Sequence, residues 1–130
     1  MTGSKSSGSN SFRVMVVDDN PFDAELIEMA LKASLNCSVV TVDTKHDFLM
    51  ELERAVPNVI VADSNLPMFD GMTAFALAKA QCPEVPFLFC TGPVPEAIKL
   101  KALALGAKAW LSKDDLDEFV LTVRRLCGES

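Results

Sequence analysis

Five side chains that could carry out ionic chemistry stand at or just after the ends of short apolar runs in this sequence. They are Asp18 and Asp19 after RVMVV, Asp63 at the end of NVIVAD, Thr91 at the end of PFLFCT, and Lys113 after AKAWL. Neighbouring carboxylates repel each other and are costly to remove from water, so a group of three requires a compensating cation. Oxygen ligands and retained waters are what Mg²⁺ prefers. The residue types therefore predict a magnesium site.

The hydroxyl and the ammonium extend this chemistry to phosphoryl groups. Mg²⁺ and Lys113 would neutralise the oxygens of a bound phosphoryl group, and Thr91 would donate a hydrogen bond to it. The remaining carboxylate could then act as a nucleophile, which would give an aspartyl phosphate. The five residues together indicate phosphoryl transfer to the protein itself.

Bringing these residues together requires a parallel sheet, and the hydrophobic pattern predicts one. Continuous apolar runs alternate five times with segments of helical period, which is typical of an α/β fold with helices on both faces. In such a doubly wound five-stranded parallel sheet with five helices, ligands bind outside the carboxyl ends of the strands. The predicted strands are Arg13–Val17, Ser38–Val42, Asn58–Asp63, Pro86–Thr91 and Ala107–Leu111.

The first helix is predicted to begin directly after the paired aspartates. Asn20 is a good N-cap and Pro21 a good first-turn residue, and acidic side chains at Asp23 and Glu25 interact favourably with the helix dipole. The residues predicted to form its apolar face are Phe22, Leu26, Met29, Ala30 and Ala33.

The last helix shows the clearest helical spacing. Its apolar residues recur at i, i+3, i+4 and i+7, with Asp114 as the predicted N-cap. Those apolar residues are Leu116, Phe119, Val120 and Val123.

Length and composition limit the classes of protein to which the chain could belong. At 130 residues it has the size of one domain, and its net charge of −6 argues against nucleic acid or an anionic membrane as a partner. No apolar run is long enough to span a bilayer, and no signal peptide is evident. Four cysteines without paired spacing indicate reduced thiols and a cytoplasmic location. They are Cys37, Cys82, Cys90 and Cys127.

The sequence resembles the receiver domains of response regulators in two-component signalling. The resemblance is carried by VVDDNP, VADSNLPMFDG, CTG and GAKAWLSK, which match the family in order and spacing. It implies a flavodoxin-like strand order 2-1-3-4-5. The receiver domain would span 12–128, after a Gly/Ser-rich segment 1–11 that reads as a flexible tail or a remnant of expression, and 129–130 would be the C-terminal end.

The resemblance also implies a role for each site residue. Asp63 matches the phosphoacceptor of the family. The metal ligands would be Asp18, Asp19, Asp63 and the backbone carbonyl of Asn65, holding Mg²⁺ or alternatively Mn²⁺. Thr91 and Lys113 would contact the phosphoryl group.

The function implied by the resemblance is that of a switch. A histidine kinase or a phosphotransfer protein would donate the phosphoryl group, and the domain would catalyse only its own phosphorylation and dephosphorylation. Thr91 and Trp110 match the switch residues of the family. The loop after Thr91 and the face made by the fourth helix, fifth strand and fifth helix would then shift and bind an output domain or another protein.

Two positions depart from the family pattern. Trp110 stands where the family usually has Tyr or Phe, so the larger indole either rotates inward behind Thr91 or stays as a fixed part of a partner-binding surface. Lys113 is followed by Asp114, where the family usually has proline after a cis bond. A cis bond before a residue other than proline costs roughly 2.5–4 kcal/mol, so this turn is either trans or strained.

Three other functions are alternatives to a phospho-accepting switch. A receiver-like scaffold that binds partners without phosphorylation stays open because of these two departures. A phosphatase of the haloacid dehalogenase kind needs a D-x-D motif after the first strand, whereas the first two acids here are adjacent. A flavin-binding domain would need a glycine- and hydroxyl-rich loop where VVDDNP places negative charge.

Overall fold

A computed structural model describes residues 11–64 and 70–127, and over these residues five strands alternate with five helices. None of these helices has the length and apolar character that crossing a membrane requires. The strands are β1 Phe12–Val17, β2 Cys37–Val42, β3 Val59–Ala62, β4 Phe87–Thr91 and β5 Ala109–Ser112. The helices are α1 Pro21–Ser34, α2 Lys45–Arg54, α3 Gly71–Gln81, α4 Glu96–Ala104 and α5 Leu116–Leu126. Residues 1–10 of the predicted tail, the predicted ligand Asn65 and residues 128–130 lie outside the described residues.

The strands form one parallel sheet in the order β2-β1-β3-β4-β5, which confirms the predicted doubly wound fold. Val17 pairs with Ala62 at the ends of β1 and β3, and Thr91 pairs with Ser112 at the ends of β4 and β5. Ala62 pairs with Phe89, so β4 extends only two residues beyond the end of β3. The residues that follow β1, β3 and β5 therefore lie along the same edge as Thr91. This edge carries the predicted chemistry.

The core has two layers because successive side chains of a strand point to opposite faces of the sheet. In β1, Val14 and Val16 face the side covered by α1 and α5, whereas Met15 and Val17 face the other three helices. All four are at most 1% exposed. Apolar burial on both faces explains why these strands read as continuous hydrophobic runs.

The N-terminus of α1 forms as predicted. The Asn20 side-chain oxygen accepts hydrogen bonds from the backbone N–H of Phe22 at 2.9 Å and of Asp23 at 3.2 Å. Pro21 occupies the first turn, where its missing N–H costs no helical hydrogen bond. The cap therefore sets where α1 begins, directly after β1.

The predicted apolar face of α1 is wrong except for Ala30, which is partly buried against the core. The helix carries two apolar stripes, and the one that packs on the sheet consists of Ala24, Ile27 and Leu31. The other, which we call the α1 stripe, consists of Phe22, Leu26 and Met29 and is 78, 54 and 60% exposed, respectively. Both stripes satisfy the helical period, so only packing against the sheet and α5 could choose between them.

The start of α5 also differs by one residue from the prediction. Asp115, not Asp114, is the N-cap, and its side chain accepts a hydrogen bond from Glu118 N at 3.1 Å. Asp115 N donates to Ser112 O at 3.1 Å, and this turn places Asp115 at the cap position. No cis peptide bond occurs among the described residues, so the Lys113–Asp114 bond is trans.

Candidate functional site

The ammonium group of Lys113 lies at the centre of the site. Its Nζ lies 2.7 Å from Asp23 Oδ2, 2.8 Å from Asp63 Oδ2 and 2.9 Å from Asp18 Oδ2. The lysine follows β5, and the three carboxylates come from the end of β1, the first turn of α1 and the end of β3. The sequence did not decide whether a trans Lys113–Asp114 bond lets the lysine reach Asp63. The structure shows that it does.

Asp63 is held at both of its carboxylate oxygens. The buried Thr91 hydroxyl donates to Oδ1 at 2.7 Å, and Lys113 donates to Oδ2 at 2.8 Å. The Ser64 hydroxyl lies 3.1 Å from the Thr91 hydroxyl. Because Thr91 and Lys113 each contact one oxygen, the orientation of the Asp63 carboxylate is fixed.

The backbone around Asp63 is positioned by close packing as well as by the sheet. Asp63 N donates to Val17 O at 3.0 Å, which continues the β1–β3 pairing beyond its last strand residue. Gly71 opens α3 directly against this backbone, and a Cβ at that position would lie 2.5 Å from Asp63 O. Only glycine allows α3 to begin so close to Asp63.

Asp18 is the most deeply buried acid of the site, with its side chain 1% exposed. Its Oδ1 accepts a hydrogen bond from Asn20 N at 2.9 Å. Its Oδ2 is near Lys113 Nζ, but the approach lacks hydrogen-bond geometry, so this buried oxygen has no hydrogen-bond donor. Burial raises the pKa of Asp18, and the Asn20 N–H and Lys113 only partly offset that effect.

Lys113 remains protonated at this site. Burial lowers its pKa, but the contacts with Asp23, Asp63 and Asp18 outweigh burial and raise the pKa above the ordinary value. The lysine therefore supplies part of the positive charge that the clustered acids require.

The predicted metal ligands are only partly brought together. Asp18 and Asp63 share the Lys113 ammonium, whereas Asp19 is exposed beyond the end of β1. Among residues 11–64 and 70–127, no group of three or more acidic, histidine or cysteine side chains is arranged to hold a metal ion. The hydrogen-bond-free Oδ2 of Asp18 is nevertheless an oxygen suited to a hard divalent cation.

Asp23 is a site residue that was not predicted from the sequence. Its predicted role was only a favourable interaction with the helix dipole, yet Asp23 makes the shortest of the three contacts to Lys113. The signal was present in the cap, because an acidic side chain three residues after an N-cap points back toward the start of its helix. With Asn20 as the cap, that direction leads to the sheet edge.

Trp110 lies beside the site on β5. Its ring is half-buried and stacks on Phe89 with centroids 4.8 Å apart and an interplanar angle of 30°. It borders an open cleft of about 320 Å³ that reaches Thr91. The other residues lining this cleft are Gly92, Pro93, Val94, Lys99, Leu111 and Ser112. The indole thus stacks on Phe89 and also borders open space.

Comparison with known families agrees with this arrangement of fold and site. A model of the response regulator receiver domain matches residues 14–124. The chain belongs to this family. The match runs from β1 into α5 and contains every described residue of the site.

Two curated relatives are longer than this chain. It is 32% identical over 122 residues to protein-glutamate methylesterase/protein-glutamine glutaminase 2 of Anaeromyxobacter dehalogenans, covering 90% of this chain and 36% of that protein. It is 28% identical over 114 residues to a probable transcriptional regulatory protein of Mycobacterium tuberculosis, TcrX, covering 87% and 48%. The chain therefore spans between about a third and a half of the length of these relatives.

Solved receiver domains have the same fold. The receiver domain of NarL from Mycobacterium tuberculosis has a TM-score of 0.78 and 29% identity, covering 91% of this chain and 97% of that one. The receiver domain of a sensor histidine kinase from Pseudomonas aeruginosa has a TM-score of 0.78 and 25% identity, covering 92% and 99%. That structure holds a magnesium ion in its active-site cleft.

The raised pKa of Asp18 predicts how stability depends on pH. The folded-state pKa lies above the ordinary value of 3.8, so the contribution of Asp18 to stability is complete at acid pH and is lost as pH rises through the folded-state pKa. Asn cannot ionise, so Asp18→Asn should gain stability over the wild type as pH rises, reaching up to about 1 kcal/mol near neutrality.

Urea denaturation across the acid-to-neutral range, in buffer with a chelator, measures this difference. Asp114→Asn is the matched control, because Asp114 is exposed and its side chain makes no contact with Lys113. The wild type and Asp18→Asn are compared by their free energies of unfolding. If the difference did not change with pH, the expected destabilisation by the buried charge would be contradicted.

Proposed function

We propose that this receiver domain accepts a phosphoryl group on Asp63 in a Mg²⁺-dependent reaction. The observation that carries the proposal is the Asp63 carboxylate, held by the Thr91 hydroxyl on one oxygen and by the Lys113 ammonium on the other. A hydroxyl and an ammonium placed on either side of a carboxylate are suited to binding the oxygens of a phosphoryl group attached to it. Membership of the receiver family supports the same role.

In the proposed reaction Asp63 is the nucleophile. One of its oxygens forms a bond to phosphorus while the bond from phosphorus to a histidine nitrogen of the donor breaks, and the electron pair of that bond stays on the nitrogen. Thr91 and Lys113 would then donate to phosphoryl oxygens.

Asp18, Asp19, Asp63 and the Asn65 carbonyl are the proposed ligands of Mg²⁺, or of Mn²⁺ in its place. When bound, the ion supplies positive charge against the phosphoryl oxygens. The buried Asp18 oxygen without a hydrogen bond supports this assignment, as does the magnesium ion in the related Pseudomonas aeruginosa receiver domain. Asp63 is the residue of the domain whose bonds change in the proposed reaction, so the domain would act as a signalling switch that catalyses its own modification.

Intact-mass spectrometry after incubation with Mg²⁺ and acetyl phosphate tests the proposed phosphoacceptor. We expect a single phosphoryl adduct on the wild type and on Asp114→Asn, and none on Asp63→Asn or without metal, because only Asp63 is held by both Thr91 and Lys113. An adduct that survives in Asp63→Asn would refute the assignment. No adduct on a wild type that binds Mg²⁺ would favour the scaffold function that works without phosphorylation.

We propose that the donor is a histidine kinase or a phosphotransfer protein that docks on the α1 stripe. Three large apolar side chains on one exposed helix face are costly in water unless a partner covers them. Phe22 opens this stripe next to Asp23, which contacts Lys113. A donor histidine that reaches Asp63 would therefore pass over this end of α1. No disulfide joins the cysteines of the described residues, which is consistent with the proposed cytoplasmic location.

Replacing Leu26 by serine should slow transfer from a phosphohistidine donor while leaving acetyl phosphate unaffected. Loss of a leucine contact in a protein interface predicts a slowing of about tenfold. Met50→Ser is the matched control, because Met50 on α2 is 55% exposed and Leu26 is 54% exposed. Stopped phosphotransfer assays with a panel of phosphorylated histidine proteins give the rates. If Leu26→Ser also reacted more slowly with acetyl phosphate, the site itself would be damaged. If Leu26→Ser and the wild type reacted at the same rate with every donor protein, the donor would dock elsewhere.

We also propose that phosphorylation acts on partners through Thr91 and Trp110. When the Thr91 hydroxyl turns from Asp63 to the phosphoryl group, the Gly92–Pro95 loop that borders the cleft is free to follow. The cleft beside Trp110 leaves room for the indole to change position against Phe89. The shifted surface of this loop, α4, β5 and α5 would then bind an output domain or a separate protein.

Trp110 is the single tryptophan of the chain, so its fluorescence reports on this step without a label. Adding beryllofluoride, a mimic of the bound phosphoryl group, with Mg²⁺ should shift the emission of the wild type and leave Asp63→Asn unchanged. The reason is that the indole stacks on Phe89 and borders the open cleft, so a change in either alters its surroundings. Unchanged emission at a concentration where calorimetry shows binding would identify Trp110 as a fixed surface residue.

A further inference from the structure

Asp23 is the carboxylate of the site that neither the sequence motifs nor the proposed reaction uses. It lies on the first turn of α1, and its Oδ2 accepts a hydrogen bond from Lys113 at 2.7 Å. We infer that Asp23 is a positioning residue that holds Lys113 in the unphosphorylated domain and lowers the affinity of the site for phosphoryl groups. This inference rests on the proposed phosphoacceptor role of Asp63.

Carboxylate oxygens surround the Lys113 ammonium on three sides. An ammonium has three N–H donors. Asp23 and Asp63 each accept one hydrogen bond, and Asp18 lies 2.9 Å away on a third side. A phosphoryl group on Asp63 must therefore displace one of these contacts in order to be bound by Lys113.

Asp23 is the contact that can be displaced most easily. The Asp18 side chain is 1% exposed and cannot turn to solvent, whereas that of Asp23 is 34% exposed and can be hydrated when it loses the lysine. Its backbone is nevertheless fixed, because Asp23 N donates to the Asn20 cap at 3.2 Å. The carboxylate is thus held in reach of Lys113 without being enclosed by the protein.

Charge gives the inference a distinctive signature. Three carboxylates surround one ammonium, so the group carries a formal charge of −2, which becomes −1 when Asp23 is neutralised. An incoming phosphoryl anion is then repelled less and finds a lysine donor released, so it binds more tightly. A divalent cation loses attraction at the same time and binds more weakly. A loss of folded structure would instead weaken both.

The test measures both ions separately on the whole chain. Isothermal titration gives the affinity for Mg²⁺ alone and then for beryllofluoride at saturating Mg²⁺. For Asp23→Asn we expect beryllofluoride to bind about three- to tenfold more tightly and Mg²⁺ a few-fold more weakly, as for removal of one partly screened charge near the site. Asp23→Glu keeps the charge and should return both affinities toward the wild type.

Glu25→Gln is the matched control. Glu25 lies on the same turn of α1 and is exposed. It borders a surface formed with Glu28, Met29 and Lys32, not the one around Lys113. Removing its charge should change each affinity by less than about twofold, since exposed charges are strongly screened.

The outcomes separate this inference from the proposed function. If the wild type binds beryllofluoride and Asp23→Asn binds it equally or more weakly, Asp23 does not restrain the lysine and the inference is overturned. A Glu25→Gln effect as large as that of Asp23→Asn would likewise overturn it, because the general field of α1 would then be responsible. If the wild type itself fails to bind beryllofluoride while binding Mg²⁺, the proposed phosphoacceptor function fails first.

Discussion

The contact of one lysine ammonium with three carboxylates is the interaction on which the site depends. Lys113 lies within 2.9 Å of oxygens from Asp18, Asp23 and Asp63, which belong to three different segments of the chain. Like charges at this spacing would destabilise the fold without a counter-charge. The lysine therefore stabilises the sheet edge that it occupies and orients the carboxylate proposed to react.

The parallel sheet is what makes this contact possible. Its strands are aligned so that β1, β3, β4 and β5 end at one edge. The backbone N–H of Lys113 donates a hydrogen bond to Thr91 O at 3.0 Å, which extends the pairing into the site. Gly71 lets α3 begin against the Asp63 backbone. The ends of the strands thus position Asp63, Thr91 and Lys113, while the first turn of α1 adds the partly exposed Asp23.

Helix α1 serves both the fold and the site. Ala24, Ile27 and Leu31 pack on the sheet, while the α1 stripe faces outward beside the site. The first turn adds the Asn20 cap and the Asp23 carboxylate. One helix thereby links the hydrophobic core, the charge balance around Lys113 and the surface proposed to receive a donor.

The sequence by itself determined the strands, the fold class and four of the residues that meet at the site. Continuous apolar runs identify buried parallel strands, and the polar residue after each run marks the functional edge, as Asp18, Asp63, Thr91 and Lys113 show. Only the tertiary structure decided which stripe of α1 is buried and which carboxylates surround Lys113. Periodicity is a property of one element, whereas Asp23 and Lys113 are 90 residues apart and meet only because two distant segments pack together.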